Sequence, residues 1–298
     1  MGITASQVKE LRERTGLGMM DCKKALTETD GDLEQAIDNL RKSSALKAAK
    51  KAGRTAADGL LGLCMAPDGS KAALVEVNIE TDFAARNEKF IAFVDRVAGL
   101  VFEQGNDDVA ALLASGVDAE RETLVQEIGE NISIRRAAVL AAADGGRVAH
   151  YLHTNKRQAA LVEISGGDDE LGKDIAMHVT AINPLVLTQD DVAPELVAKE
   201  REIATSQAAE SGKPPEIVEK MVEGKVRKYL ADISLLDQPF VKDDKQKVKK
   251  LLDSQSAAVA RFVRFEVGEG IEVEEVDFAS EVAAQIRSSD DADDKDKD

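Results

Sequence analysis

The chain has 298 residues, with 39 Lys and Arg against 56 Asp and Glu, a formal charge of −17. Charged residues at 32% and hydrophobic residues at 43% form a globular balance, long enough for two or three cored units, and exclude a disordered or membrane-dominated chain. No run of ~18 apolar residues and no leader-type apolar stretch occurs, two cysteines are too few for a disulfide framework, and the acidic balance opposes a polyanionic partner. The expectation is a cytoplasmic protein of a reducing compartment that binds neither membrane nor nucleic acid directly.

Residues 1–54 carry eleven Lys and Arg against eight Asp and Glu, so this basic segment stands apart from an acidic remainder. Three short helices are expected here. Thr4-Ala-Ser-Gln7 forms a capping box, Val8 and Leu11 share one face, and Gly16 ends the first helix. Met19, Met20, Ala25 and Leu26 line the second, which Thr29-Asp30-Gly31 breaks. Asp32 caps the third, whose stripe is Leu33, Ala36, Ile37 and Leu40. The set resembles a ubiquitin-associated-type docking bundle. Lys47, Lys50, Lys51 and Gly53 read as a linker, with a solvated face or a contact role both open.

The period then changes from helical to two. Leu60–Met65 and the alternation of Ala73, Val75, Val77 and Ile79 make two strands joined through Pro67-Asp68-Gly69-Ser70. Thr81-Asp82-Phe83 leads into a helix with Phe90, Phe93, Val94, Val97 and Val101 on its apolar side, and Ile132 and Ile134 open a third strand. The pattern recurs. Ala72–Glu76 repeats as Ala159–Glu163, 87 residues on, and Gly59 matches Gly146 at that offset. Strands at Val148–Leu152 and Ala159–Ser165 and a helix at Glu170–Ile182 follow suit, with the third strand, Arg261–Val267, arriving late. A duplicated core of small antiparallel sheets packed with helices, hence α+β, is the predicted class.

The late strand implies an insertion. Residues 190–235 place Val197, Ile203 and Ala204 in one helix and Ile217, Met221, Val222 and Val226 in another, turning at Ser211–Pro215. This predicts an antiparallel helical hairpin, either projecting toward a partner or lying on the main body. The last nine residues hold six Asp and two Lys and predict a disordered acidic tail.

Catalytic chemistry finds little support. Gly167–Asp174 approaches a phosphate loop but lacks the terminal hydroxyl and carries three acids, so it reads as a helix start. Gly16-Leu-Gly18 follows no strand. His150 and His153 lack a third ligand at metal spacing, and Cys22 and Cys64 fall in different units. No cofactor, no metal and no catalytic residue is expected. On pattern alone, Phe83 after a strand is a core residue more often than a contact.

Four stretches carry a family resemblance: Arg14–Leu26 (RTGLGMMDCKKAL), Glu76–Phe83 (EVNIETDF), Ile175–His178 (IAMH) and Arg264–Gly270 (RFEVGEG). In this order the chain resembles bacterial elongation factor Ts across residues 3–285. The resemblance implies a guanine-nucleotide exchange factor for elongation factor Tu, binding it both GDP-loaded and nucleotide-free. It divides the chain into an N-terminal docking bundle (1–54), a core N-subdomain (55–140), a core C-subdomain (141–185 and 236–270), an inserted coiled-coil hairpin (186–235), a C-terminal helical module (271–287) and the acidic tail (288–298). It further implies a magnesium-dislocating turn of Thr81, Asp82, Phe83 and Ala84, where the family commonly has Val in place of Ala84. Partner contacts are implied at Met19, Met20, Lys23, Ile128, Gly129, His153, Phe240 and Val241, although the turn after His153 departs from the family pattern. Homodimerisation through the hairpin stays open. A docking adaptor without exchange activity is the competing reading, separated by the identity of the partner.

Overall fold

In the computed structural model, residues 3–209 and 213–272 are described. The N-terminal helices are α1 (Ala5–Thr15), α2 (Met19–Glu28) and α3 (Leu33–Lys51). The Thr4/Gln7 capping box closes one end of α1, and Gly16, at φ 73°, closes the other. Val8, Leu11, Leu17, Cys22, Ala25, Leu26, Ala36, Ile37 and Leu40 converge on a core of their own.

The basic stretch read as a linker is helical. Lys47, Lys50 and Lys51 are the last turns of α3. Here α3 leaves its own bundle and lies along a later helix: Ser44 hydrogen-bonds Gln126, the Lys51 ammonium donates to the Gly129 carbonyl, and Ala48 joins the core of the following unit.

That unit pairs β1 (Asp58–Met65) with β2 (Lys71–Ile79). Next come α4 (Asp82–Ala85), α5 (Glu88–Gln104), α6 (Val109–Leu112), a distorted turn over Leu113–Val117 and α7 (Asp118–Ile128). Strand β3 (Ile132–Ala141) completes an antiparallel sheet of order β1-β2-β3. The second unit pairs β4 (Gly146–Leu152) with β5 (Gln158–Ser165), crosses α8 (Asp169–Ile182), and then departs into α9 (Pro194–Ala209) and α10 (Pro215–Ile233). It returns through β6 (Pro239–Phe240), β7 (Asp243–Lys247) and α11 (Val248–Ser254) to β8 (Ala258–Glu266), giving the order β4-β5-β8. The late strand falls where the repeat required it.

Each sheet buries both faces, so its central strand is mainly apolar, with Glu76, Asn78 and Glu163 as buried polar exceptions. Ala73, Val75, Val77 and Ile79 meet Phe90, Phe93, Val94 and Val97 of α5, whereas Ala72 and Leu74 turn the other way. Ala160, Val162 and Ile164 likewise face Leu171, Ile175 and Val179 of α8. Between the sheets, Leu61, Leu74 and Leu140 of one interlock with Val148, Leu161 and Phe265 of the other. The result is four layers, helix–sheet–sheet–helix. Close helix–sheet approach is bought by a glycine on opposite sides of the two contacts. A Cβ on Gly62 would lie 2.7 Å from the Val94 carbonyl oxygen, and one on Gly172 of α8 would lie 2.8 Å from the Ala149 Cβ.

The duplication is repeated in the hydrogen bonds. Leu61 N donates to Lys156 O and Val148 N to Gly69 O, both at 2.7 Å, the same bond displaced by 87 residues in each partner. Buried Glu76 lies opposite Arg136 and buried Glu163 opposite Arg261, and a β-bulge follows each glutamate. Each carboxylate accepts from a backbone amide just past the last strand of the other sheet: Gly268 N to Glu76 and Ala143 N to Glu163, both at 2.8 Å. Arg136 donates to Glu266 O and Arg261 to Ala141 O, both at 2.9 Å. The two units therefore clamp one another reciprocally about a pseudo-two-fold axis.

The inserted helices α9 and α10 share a thin apolar seam of Ala204, Ala208, Val222 and Val226. Ile203 and Ile217, expected within it, are exposed. No helix among the described residues is long and apolar enough to cross a membrane. The C-terminal module from residue 273 and the acidic tail lie outside the described residues.

Candidate partner interface

Phe83 is 80% exposed, the most exposed large apolar side chain among the described residues, one turn ahead of a helix whose Phe90 and Phe93 are buried. The sequence explains how it comes to stand out. Thr81 has extended backbone and caps α4, accepting from Ala84 N at 3.2 Å, so the chain reverses abruptly at the end of β2. The short α4 then turns Ala85 into the core and leaves Asp82 and Phe83 outside. Asp82 pairs with Arg86 at 2.7 Å, and the Arg86 guanidinium sits 5.8 Å from the Phe83 ring centroid.

The turn is tied from below. Thr81 N and Oγ1 donate to the two oxygens of Glu130 at 2.9 and 2.7 Å, and Asn131 N donates to Glu80 at 2.6 Å. Glu130 directly follows Ile128 and Gly129. Ile128 packs against the first core, and Gly129, at φ 92°, ends α7 and offers its carbonyl to Lys51. On the other side of α7, Lys89 bridges Glu127 at 2.7 Å and the Gly16 carbonyl at 3.3 Å. A continuous chain of contacts thus runs from the α1–α2 turn through the end of α7 to Thr81.

Met19 and Met20 are 60% and 76% exposed, and Lys23 is exposed, whereas Cys22, Ala25 and Leu26 on the opposite side of α2 are buried. The apolar stripe expected on this helix is thus two-sided, with the methionines outside the bundle core. His153 is half-buried at the β4–β5 hairpin, its Nδ1 3.2 Å from the Tyr151 hydroxyl. The same hairpin reaches α5 through Lys156 and Asp95 at 3.3 Å.

Phe240 and Val241 form a separate group. Phe240 is buried and stacks on His178 at 6.0 Å between ring centroids, while Val241 is exposed. His178 is fully buried. Its Nδ1 accepts from Val241 N at 3.1 Å and its Nε2 faces the side-chain oxygen Oε1 of Gln238 at 2.9 Å, which assigns the neutral Nε2–H tautomer. Burial lowers its pKa below the ordinary 6.5, against the opposing pull of Gln238. In the sequence His178 stands out only within the IAMH motif; its grip on Val241 spans 63 residues and leaves no local signal.

Electrostatics elsewhere is structural. Burial raises the Glu76 carboxyl, but the Gly268 amide, Asn78, Arg135 and Arg136 together hold it below its usual range. The Gly167–Asp174 stretch is a helix start, with Asp168 accepting from Leu171 N at 2.8 Å. Among the described residues no group of three or more His, Cys, Asp or Glu is placed to hold a metal ion. The arrangement offers exposed apolar and charged side chains on a rigid frame, a means of gripping a macromolecule.

Comparison with known proteins gives one family. Residues 80–269 match the family described as elongation factor TS. The chain is 58% identical over 285 residues to a protein named Elongation factor Ts from Hahella chejuensis, covering 96% of this chain and 99% of that one. Proteins of the same name from Saccharophagus degradans and Methylococcus capsulatus are each 55% identical, over 289 and 295 residues, covering 97% of this chain and 99% and 100% of theirs.

Proposed function

The chain belongs to the elongation factor Ts family, and from that premise we propose how its surface performs nucleotide exchange on elongation factor Tu. The family's role is exchange during translation elongation, in which no covalent bond is made or broken. Magnesium and backbone donors hold the diphosphate of a GTPase, so displacing them releases nucleotide. A factor that binds the nucleotide-free partner more tightly than the loaded one lowers nucleotide affinity by the same factor, because linkage is reciprocal. Complexes with both GDP-bound and nucleotide-free partner are therefore part of the reading.

The Thr81-Asp82-Phe83-Ala84 turn is the displacing element. Phe83 enters an apolar pocket beside the nucleotide site, and Asp82 leaves Arg86 to engage a polar group near the metal. The observation that carries this is the exposure of Phe83: it stands 80% in water on a cap held by Glu130, while Phe90 and Phe93 in the next helix are buried, so an aromatic side chain of the kind enriched in interfaces is free to enter a partner's pocket. Met19, Met20 and Lys23 dock the ubiquitin-associated-type bundle on the GTPase domain. Ile128 and Gly129 lie on the path between bundle and turn, His153 makes a contact from the β4–β5 hairpin, and Val241, supported by Phe240, makes another from the second unit. The inserted α9–α10 pair acts as a coiled-coil hairpin, reaching either the partner or a second copy of this chain.

The test is release of a fluorescent GDP from elongation factor Tu, with excess unlabelled GDP, on titrating in this protein. Acceleration that saturates with concentration is expected. A release rate independent of the added protein would refute the exchange role.

A further inference from the structure

From the geometry below the turn we infer that Glu130 is a positioning residue, which holds the Thr81-Asp82-Phe83 turn in its exchange-competent orientation; the inference rests on the reading of Phe83 as the displacing side chain. In a capping box the N-cap residue donates its own backbone N–H to a Glu or Gln side chain three positions on. Helix α1 has this arrangement: Gln7 Oε1 accepts from Thr4 N at 3.0 Å and from Thr4 Oγ1 at 2.9 Å. Helix α4 has the same Thr cap, but three positions on stands Ala84, which has no acceptor. Glu130, 49 residues away, supplies it. Its two oxygens accept from Thr81 N and Thr81 Oγ1, reproducing the box from another element.

The clamp is crossed, and Arg54 faces one of its two carboxylates. Glu80 accepts from Asn131 N while Glu130 accepts from Thr81 N, so each glutamate binds the amide one residue past the other. Arg54 lies 3.5 Å from Glu80, and its carbonyl takes the Asn131 side-chain amide at 2.8 Å. The end of α7, the end of β2 and the segment after α3 meet at this point. Because α4 is only four residues long, it contributes little stiffness of its own, and two charge-assisted bonds to a separate element fix where Phe83 points.

The experiment compares the parent, Glu130→Ala, Glu130→Gln, Phe83→Ala and the Glu130→Ala/Phe83→Ala double variant. Three quantities are read: the maximal GDP-release rate from elongation factor Tu, the half-saturating concentration, and amide hydrogen exchange at Thr81 in the free protein. Glu130→Ala is expected to lower the maximal rate about tenfold, as misplacement of a positioned group does, with half-saturation within about twofold because the docking faces are intact. Glu130→Gln, whose single carbonyl accepts one of the two bonds, falls between, and Thr81 exchange accelerates in both. In the Phe83→Ala background the Glu130 substitution adds no further slowing, since there is no longer a wedge to aim. A Glu130→Ala protein that releases GDP at the parent rate while Phe83→Ala is slow overturns this inference and leaves the wedge standing. Equal slowing in both backgrounds also overturns it, marking Glu130 as general scaffold. Parental release by Phe83→Ala overturns the wedge reading, and the inference with it.

Discussion

Replacing Glu76 by Ala should destabilise the protein far more than replacing its repeat equivalent Glu163, although the two occupy corresponding places in the duplicated core. Glu76 is fully buried between Arg135 and Arg136, whose side chains are only 27% and 29% exposed. Its removal takes the buried counter-charge from two guanidinium groups, leaving them the Glu266 and Glu269 carbonyls and a 3.4 Å approach of Arg136 to the Glu269 carboxylate, and leaves Gly268 N–H without its acceptor. Breaking a buried pair on one side costs about 3–5 kcal/mol. Glu163 is also buried, but its partner Arg261 is 57% exposed and rehydrates when released. What remains is the Ala143 amide, worth roughly 1–3 kcal/mol if left unsatisfied. At roughly 2–4 °C per kcal/mol the melting temperatures should fall by about 12 °C and about 6 °C. Both carboxyls are held below the ordinary 4.5 in the folded state, so their stabilisation is present above that pH and is lost as pH falls through the depressed values. Thermal melts of both variants at pH 7, repeated for the parent down to pH 3, read this directly. Equal losses for the two substitutions, or a larger one at Glu163, would refute the account of the clamp.

Other expectations follow from the same contacts. His178→Asn keeps an acceptor for Val241 N but removes a buried imidazole. Because the folded pKa is depressed, the parent loses up to ~1.4 kcal/mol per pH unit as pH falls below 6.5 until the folded pKa is reached, and the variant should show a shallower loss in urea titrations between pH 7.5 and 5.5. Deleting residues 1–54 should both weaken binding to elongation factor Tu and lower the melting temperature, because Ala48 and the end of α3 cover α7; an unchanged melt would contradict that packing. Truncation after Arg287 removes eleven residues without a large apolar side chain and should leave melting and GDP release at parental values.

Period-two alternation at Ala73–Ile79 and its repeat at Ala159–Ser165 made the strands, the duplication and the late third strand legible, because burial on a sheet writes directly into side-chain order. Alternation does not say what covers a face, so the face-to-face stacking through Leu61, Leu161 and Phe265 was not readable. Helices α6 and α7 escaped for a related reason: the fully buried side chains Leu112, Leu124 and Val125 are few and are separated by the distorted turn at Gly116. Lysines at the end of α3 carried a polar composition that suggested a linker, whereas their helix is held by tertiary contact at Gly129. The candidate turn was visible as a motif. Its exposure, and its support by a glutamate 49 residues away, depend on which elements meet in space.

The most direct measurement is GDP release from elongation factor Tu driven by the Asp82→Ala/Phe83→Ala variant, with thermal melts on the same preparation. Because Phe83 is 80% exposed, the variant should melt close to the parent, whereas truncating a buried Phe such as Phe90 would cost about 3–5 kcal/mol. It should still bind elongation factor Tu through the bundle and the second unit, yet release GDP much more slowly at saturation. Parental release by a stably folded variant would contradict the account, and so would a large fall in melting temperature with exchange per folded molecule unchanged.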